Sequence, residues 1–517
     1  MWHVGNEFGC HVGQCYCDVS AQAFRRWLED RYGTLDRLNH AWGTNFWSQR
    51  YHRWDEIQPP RAAPTFPNPS QQLDYRRFSS DELLETYRNE RRVLERITPT
   101  IPITTNFVVT QRFAKLDYWA WAEHVDLVAI DHYLDSADPS AHVELAFCAD
   151  LSRGLAAGGP WLVMEHSTSA VNWQPRNRAK HPGELVRNSL QHVARGSDGA
   201  MFFQWRASAA GAEKYHSAMV PHAGTSTKVW RDVVTLGNLL GGLNDVVGSR
   251  VEAEVAMVID WQNWWNVDLD SHPSAAVDYI EHPHALYRAL WDAGITVDMV
   301  RPEASLDGYR LVLMPTLTMV TDAAVVEIER VVAAGGTALV TYFSGIVDEH
   351  DHIRLGGYPG AFRELLGIVT EEFHPLAVDE VVQLDNGARG AIWTEHTHLE
   401  GAEAVASYTS GPVVGEPAIT RHAYGAGAAW YLGTQLDSPG LVDLVSALTT
   451  EAGVRPGVAG RPAGVEAVRR RSADRSFVFV INHTTDDVHV PIEGEDLGSG
   501  DRVSTVPAGG VAVVRER

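Results

Sequence analysis

The chain runs to 517 residues, too long for a single hydrophobic core, so about two to four folding units are expected. Its formal charge of −23 repels nucleic-acid phosphates and anionic lipid, and no apolar run approaches the roughly 20 residues of a membrane span; nucleic acid and membrane are excluded as partners. A neutral small molecule remains, and seventeen Trp, many of them before residue 175, offer the flat apolar faces on which sugar rings stack.

Four cysteines, Cys10, Cys15, Cys17 and Cys148, are too few and too clustered for a disulfide framework in a chain of this size. The first residues also lack the charged start, apolar core and small-residue cleavage site of a signal peptide. A reducing, cytoplasmic setting is the expectation.

Residues 1–240 alternate short apolar runs with charged helical stretches, the βαβ rhythm of a parallel sheet covered by helices. The run MWHVGNE (1–7) is followed by a helix, AQAFRRWLEDRYG (21–33), that Gly33 stops, and by a Pro-punctuated, Trp-rich excursion over 32–78. A second helix, SSDELLETYRNERRVLERI (79–97), leads into the runs IPITTNFV (101–108), VDLVAIDHY (125–133), WLVMEHS (161–167) and GAMFFQWR (199–206). Each run ends in polar or aromatic residues: Asn6 and Glu7, Asn106, Asp131 with His132 and Tyr133, Glu165 and His166, then Gln204 and Trp205. In parallel α/β folds, chemistry collects at those C-terminal strand ends. Five such units out of the eight of a (β/α)8 TIM barrel leave three unaccounted for, so the chain is expected to start inside the barrel.

A second α/β block fills 241–452, with strand-like runs EVAMVID (254–260), ITVDMVR (295–301), YRLVLMP (309–315), GTALVTY (336–342) and AAWYLGT (428–434). It reads as a doubly wound, flavodoxin-like layer structure. No glycine-rich phosphate loop occurs in it, and every cysteine lies before residue 149, which leaves no Cys nucleophile; a structural or assembly role is expected. From 453 to 517, period-2 alternation broken by turn residues predicts a small β-sandwich, with the RRR run at 469–471 as a solvated turn between strands.

Glu7 and Glu165 stand out because each ends an apolar strand. Retaining glycosidases need such a pair: one carboxylate attacks the anomeric carbon, the other protonates the leaving oxygen and later activates water, at a separation of about 5–5.5 Å. Strand ends of one barrel converge on one cleft, so 158 residues of separation is no obstacle.

The motifs WHVGNEFG, LDYWAWAEHVDLVAIDHY, MEHSTSAVNWQPRN and FFQWRASAAGAEKYHSAMVPHAG, with CYCDVS and the Trp-rich excursion after it, resemble the family 42 glycoside hydrolases along the whole chain. That resemblance implies retaining exo-β-galactosidases built on a TIM barrel, here N-terminally truncated with strands four to eight present. It makes Glu7 the general acid/base after the fourth strand and Glu165 the nucleophile after the seventh. Asn6 would bind the sugar 2-hydroxyl, Trp173 would form the platform under the galactose, and Glu213 with His216 would hold its hydroxyls. A homotrimer acting on β-galactoside oligosaccharides follows, with α-L-arabinopyranosides or β-D-fucosides as alternative substrates and a non-catalytic fragment that keeps only the assembly domains as the opposite reading.

Some members of that family hold a structural zinc on a C-x-C-x2-C run. Here Cys15 and Cys17 are present, Ser20 replaces the third thiol, and only Cys10 or His11 is placed to substitute; no metal and no cofactor are expected. Tyr133 has two readings, orienting Glu165 or packing, and His166 likewise, site or core. Trp47 is a candidate to reach the cleft or a neighbouring subunit, and the Trp residues of DWQNWW (260–265) are candidates for a subunit contact.

Overall fold

The computed structural model describes residues 1–110 and 112–516. Five parallel strands stand side by side in its N-terminal unit. β1 (Trp2–His3) pairs with β2 (Ile103–Thr104), which continues past Thr105 into β3 (Asn106–Val108); β4 (Val128–Asp131), β5 (Trp161–Glu165) and β6 (Ser197–Ala200) follow in chain order. All run the same way, so the ends carrying Glu7, Asn106, Asp131 and Glu165 open on one side. The last strand is shorter than its apolar run: it stops at Ala200, and Gln204 and Trp205 lie in irregular chain.

Local chemistry sets the helices between them. Helix α1 (Asp18–Tyr32) opens where the Cys17 sulfur accepts the Ser20 N–H and closes at Gly33, with a φ of +71°. Helices α2 (Leu35–Ala41) and α3 (Pro69–Ile97) are capped by Thr34 and Asn68, and Pro69 occupies the first turn of α3, where its missing N–H costs nothing. The excursion buries a satellite core of Phe24, Leu28, Leu38, Trp42, Ile57, Tyr75 and Phe78. Trp47 stays outside it, 60% exposed beside Phe46.

The second unit is a seven-stranded sheet. Its parallel part takes the order Val297–Val300, Val255–Val258, Leu311–Met314, Thr337–Thr341, Gly427–Leu432, which is 2-1-3-4-5 in chain order, and Pro417–Tyr424 and Glu403–Ser407 extend it antiparallel. The tryptophans of 260–265 do not line an outer surface. Trp261, Trp264 and Trp265 are buried within the chain, and Trp261 and Trp265 donate their indole N–H groups to the carbonyls of Phe113 and Ala114 in the barrel unit. At roughly 3 kcal/mol of apolar burial each, they join the two units.

The C-terminal unit is a five-stranded antiparallel sheet in the order Gly494–Asp496, Val511–Glu516, Ser476–Asn482, Val465–Arg471, Arg250–Val251. Its last strand comes from the connection ahead of the second unit. Alternation sorts its faces: Phe477, Phe479 and Ile481 pack on Leu190, Val193 and Leu236 of the barrel unit, while Val478 and Val480 pack under Val490, Ile492 and Val506.

The RRR run is not a turn. Arg469, Arg470 and Arg471 end the strand Val465–Arg471, and Arg470 is fully buried. It donates to the carbonyls of Val193 (2.7 Å), Ser197 (3.0 Å) and Ser249 (2.8 Å), to the Ser249 hydroxyl (3.0 Å) and to the Asp198 carboxylate (2.7 Å). A sequence pattern shows three adjacent charges; it does not show the carbonyls that a helix end and the start of β6, 273–277 residues away, deliver to one of them.

Candidate active site

Glu7 leaves β1 through a tight corner. Gly5 has a φ of +66°, and a Cβ there would sit 2.4 Å from the Phe8 ring, so only glycine fits. Glu7 itself has a φ of +45°, a left-handed conformation that costs a non-glycine residue about 1–2 kcal/mol. Its N–H is held there by the Asn106 side-chain oxygen at 2.8 Å.

Glu165 closes β5, and the Tyr133 hydroxyl donates to its Oε2 at 2.5 Å, so Tyr133 orients the carboxylate. Burial pushes the Glu165 carboxyl above its usual range; the Tyr133 hydrogen bond pulls it back and the negative charge of Glu7 adds to the rise. Asp131, only 1% exposed, completes a triangle. One oxygen from each of Glu7, Asp131 and Glu165 lies within 4.8 Å of the others. Burial first, and then the charges of Glu165 and Glu7, push the Asp131 carboxyl up to about 9.

The aromatic wall rises beside Glu165. Trp173 is 51% exposed and stacks on His216 with ring centroids 5.1 Å apart, and Tyr133 meets the edges of both at 4.8 and 5.8 Å. His216 shares its Nδ1 hydrogen with the Ser217 carbonyl at 2.7 Å, which leaves its buried Nε2 as an unpaired acceptor. Burial lowers its pKa, against the Ser217 hydrogen bond and the charges of Glu213 and Glu165, which raise it. Glu213 sits exposed on the same loop, where its carbonyl accepts the His216 N–H at 2.9 Å, and its charge reaches both Glu165 and His216.

Asn6, Glu7, Glu165, Trp173, Glu213, His216 and Tyr133 therefore come together from four segments of sequence. His166 does not join them; it is fully buried against His192 and Phe202. Cys15 and Cys17 lie exposed at the start of α1, and Cys10 is half-buried. Among the described residues, the groupings of three or more metal-type donors are Glu7 with Asp131 and Glu165, and His132 with Glu144 and Cys148; neither includes those three thiols. Asn106, Asp131 and His3 had no role assigned from sequence, although the first two were visible as polar residues ending apolar strands.

Two carboxyls facing one gap beside an exposed indole suit attack on a glycosidic bond, and fold and site together define a glycoside hydrolase. Comparison with known proteins makes the class specific. Three family models match in order along the chain: β-galactosidase over 1–243, β-galactosidase trimerisation domain over 253–455, and β-galactosidase C-terminal domain over 464–516. A β-galactosidase of an Arthrobacter species is 56% identical, over 100% of this chain and 74% of its own length. One of Geobacillus kaustophilus is 44% identical over 96% of this chain and 74% of its own. The crystal structure of a β-galactosidase from Bacillus circulans sp. alkalophilus superposes with a TM-score of 0.95 at 39% identity, covering 100% of this chain and 79% of that one. The chain belongs to the β-galactosidases of glycoside hydrolase family 42. No helix among the described residues is long and apolar enough to cross a membrane.

Proposed function

We propose that the protein removes terminal non-reducing β-D-galactose by double displacement with net retention. Glu165 attacks the anomeric carbon while Glu7 gives its proton to the glycosidic oxygen; the aglycone leaves as an alcohol and galactose stays esterified to Glu165. Glu7, now a carboxylate, takes a proton from water as the water oxygen attacks the same carbon, freeing Glu165 and β-galactose. Both the nucleophile and the proton come from side chains, so no metal takes part. Asn6 binds the 2-hydroxyl, Trp173 carries the ring, and Glu213 and His216 hold the remaining hydroxyls.

The observation that carries this reading is the proximity of the two carboxyls. An oxygen of Glu7 and an oxygen of Glu165 lie within 4.8 Å of each other, which favours the short carboxyl separation of retaining enzymes over the roughly 6.5–9.5 Å of inverting ones. The protein is proposed to act as a homotrimer assembled through its second unit, in a reducing cytoplasm where its four free thiols are stable.

The test is stereochemical. Proton NMR of the first turnovers on p-nitrophenyl β-D-galactoside should show β-galactose before mutarotation; α-galactose first would exclude the mechanism. Glu165→Ala should lose nearly all turnover and regain part of it with azide, as the α-galactosyl azide. Full activity in that variant would remove Glu165 as nucleophile.

A further inference from the structure

Asn106 sits at the centre of the site and touches both faces of its machinery. Its side-chain oxygen lies 2.8 Å from the Glu7 backbone nitrogen and 2.8 Å from His3 Nε2; its Nδ2 lies 3.0 Å from Asn6 Oδ1 and within hydrogen-bond reach of Asp131 Oδ2. The chemistry of these partners leaves one arrangement. A backbone N–H can only donate, so the Asn106 oxygen must face Glu7; a carboxyl oxygen stands on the other side, so the NH2 must face Asp131. Both lone pairs and both hydrogens of the amide are then used, with His3 donating from Nε2. Reversing the amide would strand several buried groups at about 1–3 kcal/mol each, so the residue, 1% exposed, has a single orientation. Asp131 Oδ2 accepts whether or not the other oxygen of its carboxyl carries a proton, so the arrangement does not depend on the charge of Asp131.

The consequence falls on Asn6. Its oxygen takes the second Asn106 hydrogen, so its own NH2 must turn the other way. Asn6 is exposed, at the corner that carries Glu7. Resting on the galactosidase reading above, we propose that Asn106 is a positioning residue: anchored by Asp131, it aims the Asn6 NH2 at the sugar 2-hydroxyl and pins the backbone of Glu7. Asn106 does not touch the substrate. It acts through Asn6 on the hydroxyl whose hydrogen bond strengthens in the transition state, and through Glu7 on the proton donor.

The experiment compares kcat/KM for 2,4-dinitrophenyl β-D-galactoside with that for its 2-deoxy analogue. The activated leaving group needs little help from a proton, so displacement of Glu7 is muted and the contact to the 2-hydroxyl is isolated. Asn6→Ala should lower the preference for the hydroxylated substrate by about a hundredfold. Asn106→Ala should lower it by a similar factor, and the double variant should lose little more, because both changes remove one interaction. Circular dichroism checks the fold. If Asn106→Ala does not fold, Asp131→Leu takes its place and should shift the same preference, while Asp131→Asn, which keeps an oxygen acceptor, should restore it. An Asn106→Ala protein that folds but loses both substrates equally would overturn the positioning role and leave the galactosidase reading intact. A wild-type protein that turns over neither substrate would overturn both.

Discussion

Arg470 offers a test of the fold that is independent of catalysis. Arg470→Met keeps most of the side-chain volume and removes six hydrogen bonds, to Val193, Ser197, Val246, Ser249 (twice) and Asp198. Four main-chain carbonyls lose a buried donor, and the Asp198 carboxylate, 12% exposed, is left with the Gly248 N–H at 3.0 Å as its hydrogen-bond donor among the described residues. Breaking a buried pair from one side costs about 3–5 kcal/mol, because the other charge stays desolvated without its partner. With a urea dependence of about 1–3 kcal/mol per molar for a small unit, the midpoint should fall by at least about 1 M, read as loss of the C-terminal sheet by circular dichroism. Arg471→Met is the control. Arg471 is half exposed and pairs with an exposed Glu252 at 3.2 Å, so its loss should stay within about 0.5 kcal/mol. Adding Asp198→Asn to Arg470→Met should recover part of the loss by removing the stranded charge. If the Arg470 midpoint moved no more than the Arg471 one, the argument that this residue joins the sheet to the barrel unit would fail.

Tyr133→Phe removes a hydrogen bond to a carboxylate, worth about 1.5–3 kcal/mol, so kcat should fall roughly ten- to 150-fold. That bond favours the ionised form of Glu165, so without it the acid limb of the kcat/KM profile should move to higher pH; an unmoved limb would show that Tyr133 only packs. Asp131→Asn tests the rise of the Asp131 carboxyl from 3.8 to about 9. A carboxyl whose folded pKa is raised favours the folded state below its unfolded value, and that advantage is lost as pH climbs through the folded one. The wild-type melting temperature should therefore fall relative to Asp131→Asn between pH 4 and pH 9, by the equivalent of about 1 kcal/mol or more. A constant difference over that range would mean that Asp131 is ionised throughout.

The sequence carried the strand ends well because their signal is local. A Glu that ends an apolar run, at Glu7 or Glu165, is visible from its neighbours alone, and the convergence of parallel strand ends does the rest. Trp173 and His216 were legible only through the longer motifs around them, since nothing in AVNWQ or EKYHS says that the two rings stack. What stayed hidden has a common cause: the partner lies far away in sequence. Arg470 looks like one of three surface charges until the carbonyls of Val193 and Ser197 arrive, and Trp265 looks available for a subunit contact until Ala114 accepts its indole N–H. Asn106 belongs with them. Its four partners come from residues 3, 6, 7 and 131, and only their joint presence turns a polar residue at the end of a strand into an amide with one permitted orientation. Local pattern identifies the groups proposed to do the chemistry; the groups proposed to hold them become readable only once the chain has brought distant donors and acceptors together, as Asp131, Asn106 and Asn6 meet in this cleft.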